Sequence, residues 1–333
     1  MNKLISLLIL TIGLGSILLS CTNFENNYVS DKVNIIFDSD MGPDYDDVGA
    51  LAMLHALADY GECEILATVV SNQYPANAAT TEAINRFFNR PDVPIGIAGA
   101  DAPNLVGSNH HYTDSVMHRF LPEPRTSDDY ASSLEIYRKV LSSQPDKSVI
   151  IVTIGFLSNM KELLESGPDE YSPLSGVELV KKKVKKLVSM AGRLPQGREF
   201  NIYSHTEAAY YTFSHWPTKV LLSPWDIGNM ILTGIPVSKT DTINNPVAWA
   251  YAYNFRTRNQ TSRQSWDQTA VLVAIRDPEK YFYICGPGKL IVEEDGSNYW
   301  DPETDAGHYF LVHKYPYKVV EEILDELMMH EPK

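Results

Sequence analysis

The sequence predicts an α/β fold, a single doubly wound, Rossmann-like domain around a mainly parallel central sheet. After residue 31, short apolar segments rich in β-branched residues alternate with segments of helical periodicity. This alternation is typical of parallel sheets that are covered by helices on both faces. The 333 residues are 44% hydrophobic, which is enough for one large core. No internal repeat or linker divides residues 32–333, so we expect them to form one domain.

The predicted strands of the first half are short and apolar, and most of them lead into a predicted helix. The strands span residues 35–37, 64–70, 93–98 and 148–154, and the helices span residues 48–54, 78–88 and 132–142, with another beginning near residue 157. Residues 101–129 are polar and proline-rich and carry His110, His111 and His118. We expect a long loop there, which in a compact domain is usually functional or mobile.

The second half continues the alternation and ends in a helix. The predicted strands span residues 187–191 and 219–222, β-like runs lie between residues 281 and 309, and the helices span residues 177–186, 204–214, 249–256, 269–275 and 319–329. We interpret the lysine-rich run at residues 181–186 as the solvated face of a helix.

The N-terminus predicts a signal peptide. A short positive start is followed by an almost wholly apolar run over residues 4–19, and then by Leu18-Leu19-Ser20-Cys21. That ending resembles a bacterial lipobox, which implies cleavage before Cys21 and membrane attachment through lipid on that cysteine. The alternatives are an ordinary cleaved signal or a short anchor helix. We therefore expect residues 1–20 to be a lipoprotein signal peptide and residues 21–31 to be a polar tether. The expected location is the bacterial cell envelope.

Charge and cysteine content limit the function further. The net charge of −14 argues against nucleic acid as a partner, because nucleic-acid binding needs a basic surface. Cys63 and Cys285 have apolar neighbours and lie far apart in the sequence, so we expect free buried thiols rather than a disulfide.

The most informative segment is residues 34–54, NIIFDSDMGPDYDDVGALAML. An apolar strand runs into an acidic turn and then into a helix, the arrangement in which α/β proteins place ligands. The carboxylates of the turn repel one another unless they are protonated, solvated or neutralised by a cation, and all-oxygen ligands favour Ca²⁺ or Mg²⁺. The alternative is a solvated acidic loop that caps the helix. The aspartates concerned are Asp38, Asp40, Asp44, Asp46 and Asp47.

This segment resembles the N-terminal signature of the nucleoside hydrolase family of the inosine–uridine-preferring type, D-x-D-P-G-x-D-D after a hydrophobic strand. Asp38 and Asp40 match its first two aspartates, and Asp46 and Asp47 match its closing pair. About two extra residues separate the pairs here, so Asp44 has no family counterpart. The resemblance extends over about residues 33–327, with further matches at residues 68–72, 154–159, 199–201, 207–209 and Asp267.

The resemblance implies that the chain hydrolyses the N-glycosidic bond of ribonucleosides with the help of one Ca²⁺. It places the ion on Asp40, on Asp47 as a bidentate ligand, on the main-chain carbonyl of Ile154 and on Asp267. Asp40 would also accept a proton from the attacking water. A homo-oligomer is compatible with the family.

The resemblance also implies the substrate contacts. Ribose hydroxyls would bind to Asp46, Asn72, Glu199 and Asn201. At the position of Trp266, inosine–uridine members commonly carry a histidine that protonates the leaving base. Tryptophan does not act as that acid but stacks on a purine, so we expect a purine preference.

Several departures and alternatives remain open at the level of the sequence. Trp266 is alternatively a core residue, and His110 or His111 could serve the leaving group. The family's asparagine upstream of Glu199 has no counterpart, which affects the 5′-hydroxyl contact. The chain could instead act on a different N- or O-glycoside, or be a non-catalytic, lipid-anchored protein that binds a sugar or nucleoside.

Overall fold

The computed structural model describes residues 32–105 and 111–333. The signal peptide, the tether, Cys21 and His110 therefore lie outside the described residues.

The described chain alternates strands and helices. The strands are β1 (Val33–Ser39), β2 (Cys63–Val70), β3 (Ile95–Ile97), β4 (Ala131–Ser132), β5 (Val149–Thr153), β6 (Val184–Met190), β7 (Gln196–Arg198), β8 (Lys219–Ser223), β9 (Leu232–Thr233), β10 (Arg263–Gln264), β11 (Tyr283–Val292), β12 (Ser297–Asp301) and β13 (His308–Val312). The helices are α1 (Asp46–Asp59), α2 (Pro75–Phe87), α3 (Tyr112–Phe120), α4 (Ser133–Ser143), α5 (Ser158–Glu165), α6 (Gly176–Lys183), α7 (Phe200–Ser204), α8 (Thr206–His215), α9 (Trp225–Gly228), α10 (Pro246–Arg258), α11 (Trp266–Ile275) and α12 (Lys318–Met328). Short 3₁₀ turns occur at Ser127–Asp129, Val237–Lys239 and Pro278–Lys280.

One large sheet organises the domain, in the order β4-β3-β2-β1-β5-β6-β8-β13-β11-β12-β7. Pairing is parallel from β4 through β13 and antiparallel from β13 through β11 and β12 to β7. This confirms the predicted fold class. Because β1 lies between β2 and β5, its carboxyl end is at the centre of the sheet edge where parallel strands place ligands.

Two cores lie on the two faces of the sheet, as strand geometry requires. Successive side chains of β1 point to opposite faces, so Ile35 and Phe37 pack with α1 and α11, whereas Ile36 packs with residues of α4 and α5. All three are buried. Helices on both faces fix β1 firmly, and with it the acidic turn that follows.

The region predicted as one long loop contains a helix. Residues of α3 have a narrow apolar stripe of Tyr112, Val116 and Met117, which is buried. The surrounding polar residues hide this stripe in the sequence, and α3 becomes stable only because it packs against α2 and α10.

The lysine-rich run does not form one solvated helix face. α6 ends at Lys183, and β6 begins at Val184, so Lys185 and Lys186 belong to a strand. The ammonium of Lys186 donates to the carbonyl of Val273 at 3.3 Å, and burial lowers its pKa to about 8. Hydrophobic spacing did not reveal this boundary because lysine stems cover apolar surface while their charged ends reach polar groups.

Cys63 and Cys285 are both free thiols, as predicted. Cys63 is buried, whereas Cys285 is only half-buried. Within residues 32–105 and 111–333, no helix is both long enough and apolar enough to cross a membrane.

A buried carboxylate on α2 fastens the chain beyond α3 and gives a pH-dependent prediction. Glu82 accepts hydrogen bonds from Arg86, Arg125 and the hydroxyl of Tyr130, all between 2.7 and 3.0 Å. Burial alone would raise the pKa of Glu82, but these donors outweigh it and lower the pKa to about 2. The contribution to stability is therefore complete above the ordinary value of 4.5 and is lost as the pH falls towards 2.

We expect Glu82→Gln to lower the free energy of unfolding at pH 7 by about 1–2 kcal/mol, after allowance for solvent screening. The variant should also lose part of the stability difference between pH 5 and pH 2 that the wild type shows in thermal melts. Glu123→Gln, at an exposed carboxylate nearby, is the matched control. Identical pH profiles for Glu82→Gln and wild type would contradict the assignment.

Candidate active site

Carboxyl ends of the central strands enclose a cavity of about 130 Å³, which is large enough for several water molecules or a small ligand. It is lined by residues at or after the ends of five strands and by the start of α11, among them Asp40, Asp46, Ile154, Glu199, Asn201 and Asp267. All six were predicted from the sequence, and the fold brings them to one place.

The turn between β1 and α1 is held in a strained shape by its own hydrogen bonds. Asp47 Oδ1 accepts from Ser39 Oγ at 2.7 Å and from the N–H of Met41 at 3.0 Å. Met41 and Gly42 have positive φ, and a Cβ on Gly42 would lie 2.6 Å from Asn77 Oδ1. Residue 42 must therefore be a glycine for the turn to pack. Asn77 Nδ2 in turn donates to the carbonyl of Asp40 at 3.1 Å.

Four carboxylates converge closely enough to share a cation. Asp44, Asp46, Asp47 and Asp267 each offer an oxygen, and these oxygens lie within 4.8 Å of one another. The structure thus joins the predicted ligands Asp47 and Asp267 across the length of the chain. It adds Asp44, one of the acidic-turn residues to which the family resemblance gave no role, whereas Asp40 lines the same cavity without belonging to this closest group.

The donor set fits a hard divalent cation. Asp47 Oδ2 is buried and has no hydrogen-bond partner among the described residues, a costly arrangement that a bound cation would relieve. The carbonyl of Ile154 accepts from Asn201 Nδ2 at 3.0 Å, and its second lone pair is free to act as a ligand.

The carboxyl groups of this site have strongly shifted pKa values. Burial, followed by repulsion from neighbouring aspartates, raises the pKa of Asp40, Asp47 and Asp267 well above the ordinary value. Burial also raises the pKa of Glu199 to about 7, although backbone N–H groups partly oppose the shift. Such a cluster of perturbed acids in a cavity is characteristic of functional sites.

A buried arginine that sequence reasoning missed neutralises part of this cluster. Arg263 Nε and Nη2 donate to Asp46 Oδ1 at 2.9 and 2.5 Å, and Nη2 also lies 2.6 Å from Asp44 Oδ2. Burial opposes ionisation of Asp44, but Arg263 outweighs it and lowers the pKa of Asp44. Burial raises the pKa of Asp46 to about 7 despite the same guanidinium. Arg263 lies only four residues before Asp267, which was the available signal.

Glu199 lies between β7 and α7, and Asn201 is the second residue of α7. Glu199 is 2% exposed and accepts from the N–H groups of Asn201 and Ile202 at the start of the helix. Asn201 Nδ2 donates to the carbonyls of Ile154 and Met190. These bonds fix both side chains, and the amide oxygen of Asn201 remains available to a ligand hydroxyl.

Two tryptophans form one wall of the cavity. The rings of Trp225 and Trp266 are stacked with centroids 6.1 Å apart, and Trp266 Nε1 donates to the carbonyl of Trp225 at 2.9 Å. Trp266 is therefore half-buried at the cavity rather than in the core. Trp225 was not predicted as a site residue, although its position directly after a predicted strand was the signal for it.

Asn72 and His111 lie apart from the residues that line this cavity. The amide of Asn72 is engaged by Leu105, whose N–H and carbonyl lie 2.9 and 2.7 Å away, and the side chain lines a neighbouring cavity. His111 is exposed at the start of α3, 3.3 Å from the hydroxyl of Tyr74. In this conformation, therefore, neither side chain lies where it could make the substrate contact that the sequence suggested for it.

Behind the site, Asp38 anchors the end of β1. Its Oδ2 accepts from the hydroxyl of Tyr137 at 2.8 Å and from Asn159 Nδ2 at 3.0 Å. Burial raises the pKa of Asp38 to about 7, and these bonds oppose the shift. Asp38 thus connects the end of β1 to the helices on one face of the sheet and fixes the strand from which the turn starts.

The sequence also matches a family model. Residues 35–320 match the model described as inosine-uridine preferring nucleoside hydrolase. The chain belongs to this family. It is therefore a nucleoside hydrolase, an enzyme that cleaves the N-glycosidic bond of nucleosides, as the resemblance of the acidic turn predicted.

Solved structures share the fold of this nucleoside hydrolase. A plant nucleoside hydrolase, PpNRh1, has a TM-score of 0.67 at 16% identity, covering 89% of this chain and 99% of its own. The inosine-uridine preferring enzyme from Bacillus anthracis has a TM-score of 0.65 at 15% identity, with coverage of 89% and 99%. An inosine-guanosine nucleoside hydrolase has a TM-score of 0.63 at 20% identity, with coverage of 89% and 97%. No curated protein matches the sequence.

Proposed function

We propose that this nucleoside hydrolase uses Ca²⁺ to hydrolyse ribonucleosides, with a preference for purines, to ribose and free base. The observation that carries the proposal is the convergence of Asp47 and Asp267 at a cavity that also contains Asp40, Glu199 and Asn201. A cation binds where the carboxylates meet, and the remaining polar groups bind the sugar.

The ion would be held by Asp40, Asp47, Asp267 and the carbonyl of Ile154. When bound, calcium supplies Lewis acidity and a positive charge that favours the ionised form of the surrounding carboxylates. We assign the ion as calcium because the donors are all oxygens and include carboxylates and a main-chain carbonyl.

The protein's own groups then perform the chemistry. Asp40 accepts one proton of the attacking water as the carbon–nitrogen bond breaks, and the departing base, which keeps the electron pair of that bond, takes up a proton from solvent water. The acidic cavity stabilises the positive charge that develops on the ribosyl ring. Asp46, Glu199 and Asn201 accept hydrogen bonds from ribose hydroxyls, so a deoxyribose would leave buried acceptors unpaired. Asn72 would join them after its bonds to Leu105 are exchanged for a sugar hydroxyl.

A reducing-sugar assay with inosine, uridine and adenosine tests the proposal, with and without a chelator. We expect sugar release that chelator abolishes and that added Ca²⁺ restores. Binding of nucleoside without release would instead support the non-catalytic alternative. Sugar release only from other N- or O-glycosides would show that the substrate is a glycoside other than a ribonucleoside.

Trp266 is the predicted determinant of the purine preference. Its ring borders the cavity, with the ring of Trp225 and the guanidinium of Arg263 against it, so a base in the cavity can contact the part of the ring that remains exposed there. Base–aromatic stacking contributes roughly 1–3 kcal/mol, and a purine offers the larger surface. We therefore expect Trp266→Ala to lower kcat/KM for inosine about tenfold or more, and that for uridine less. Trp300→Ala, a ring that packs against Phe310 away from the cavity, is the control. An unchanged inosine-to-uridine ratio would contradict the stacking role.

We also propose that the mature enzyme is attached to a bacterial cell envelope by lipid on Cys21. The support is the apolar segment that ends in Leu-Leu-Ser-Cys. Mass spectrometry of the mature N-terminus tests it, since an unmodified terminus or cleavage at another residue would contradict the lipid anchor.

A further inference from the structure

The acidic cavity contains two kinds of carboxylate that differ in their partners. Asp44 and Asp46 are both paired with the guanidinium of Arg263. By contrast, no N–H or O–H of another described residue donates to the side chain of Asp40 or Asp267 or to Asp47 Oδ2. These oxygens without a donor belong to the three aspartates assigned to calcium above.

Arg263 is held rigidly between these groups. Its side chain is 8% exposed, and the guanidinium carbon lies 5.0 Å from the ring centroid of Tyr45 and 4.8 Å from that of Trp266. Cation–π contacts with two rings and ion pairs with two carboxylates suit a planar, always charged group. An arginine so placed cannot leave the cavity without exposing buried carboxylates.

Asp44, the second partner of Arg263, belongs to the part of the turn that exceeds the family signature. An extra carboxylate at a cation site would by itself increase the negative charge and attract another ion. Besides Glu199, five aspartates meet at the cavity: three assigned to calcium and two paired with Arg263. When all five aspartates are ionised, Arg263 and one divalent ion leave them a net charge of two negative units, and without Arg263 three remain.

We propose that Arg263 is a built-in counter-ion that keeps Asp44 and Asp46 from binding metal, so that the site takes a single Ca²⁺ on Asp40, Asp47 and Asp267. Arg263 also orients Asp46 towards the sugar, and it is thus a positioning residue rather than a catalytic one. The inference rests on the proposed calcium site. It predicts that Asp44 and Arg263 act as a compensating pair.

Isothermal titration of the metal-free enzyme with CaCl₂ tests the inference by counting ions. We expect the wild type to bind one Ca²⁺ per chain. Arg263→Gln should bind a second Ca²⁺, or bind the first at least about tenfold more tightly, since a positive charge beside the ion is removed. Arg263→Lys keeps that charge and should bind one ion. Arg263→Gln with one ion at wild-type affinity would overturn the inference.

Asp44→Asn keeps the test decisive if Arg263→Gln does not fold. The side chain of Asp44 is 34% exposed, so this change is tolerable. It leaves Arg263 with one carboxylate partner and should weaken Ca²⁺ binding. The double variant Asp44→Asn, Arg263→Gln should return to one ion at near wild-type affinity, because both charges of the pair are removed. A double variant as weak as Asp44→Asn would make Asp44 a direct ligand and overturn the inference.

Ca²⁺ titration distinguishes a wrong role for Arg263 from a wrong calcium site. A wild type that binds no Ca²⁺ rejects the calcium site itself and the inference with it. One ion in the wild type, with no change in any Arg263 or Asp44 variant, rejects only the role of Arg263.

Discussion

Asp47→Asn is expected to abolish Ca²⁺ binding and to lower the turnover of inosine by more than about 100-fold. Loss of a residue that merely supports a metal ligand costs about 10–100-fold in affinity or activity, and Asp47 is assigned as a ligand itself. Its Oδ1 is occupied by Ser39 and Met41, so the buried Oδ2 is the atom that the variant removes from the ion.

The same variant should not be less stable without metal. Asparagine keeps an oxygen for Ser39 and Met41 and replaces the unpartnered Oδ2 with an N–H₂ group that faces carboxylates. One of several repelling buried charges also disappears, so the metal-free melting temperature should equal or exceed that of the wild type. Ca²⁺ should raise the melting temperature of the wild type but not that of Asp47→Asn.

The control is Asp92→Asn, an exposed aspartate that lies before β3 and thus at the opposite edge of the sheet. It should keep full turnover and full stabilisation by Ca²⁺. Wild-type Ca²⁺ affinity in Asp47→Asn would remove this aspartate from the metal site and leave the proposed mechanism without its central ligand.

The fold was predictable because the central strands are buried on both faces. β1, β2 and β5 are buried over most of their length and are mainly apolar, so they are conspicuous in the sequence. The short edge strands β4 and β7 are half solvated and carry no comparable signal. Sequence reasoning therefore located the centre of the sheet, which positions the site, better than its edges.

The convergence of Asp47 and Asp267 was also predictable, because parallel strands bring their carboxyl ends to one edge. The pairing of Arg263 with Asp44 was not. It depends on the path of the extra residues in the turn and on the register of β10 with β9, and neither follows from hydrophobic periodicity. The position of Arg263 four residues before Asp267 was the available signal, and by itself it does not distinguish this arginine from a surface residue.

The hydrogen-bond partners of the Asn72 side chain could not be predicted from the sequence, for a different reason. An asparagine after β2 can donate to a ligand or to a neighbouring loop, and the chain order does not decide between them. In the structure the backbone of Leu105 satisfies both ends of the amide. Local competition decides the partners of side-chain amides, whereas carboxylates that repel one another must be protonated, solvated or neutralised by a cation wherever they meet.

Gly155→Ala is expected to lower kcat by roughly 100-fold while the chain still folds. A Cβ at residue 155 would lie 2.3 Å from the backbone nitrogen of Asp40 and 2.7 Å from its Cβ. Backbone cannot yield as a flexible side chain does, so the end of β1 must move and carry the carboxylate of Asp40 with it. A displacement of about 1 Å at a reacting group costs on the order of 10²-fold in rate, and the overpacking itself costs about 1–3 kcal/mol.

Gly167→Ala is the matched control, because it makes the same substitution where no atom lies within 4 Å and φ is not positive. Its kcat and melting temperature should equal those of the wild type. Turnover and Ca²⁺ affinity are then measured for both variants, since displacement of Asp40 should reduce both in Gly155→Ala. Full activity in that variant would mean that the carboxylate of Asp40 is not held against residue 155 during turnover, and the assignment of Asp40 as the base would lose its geometric support.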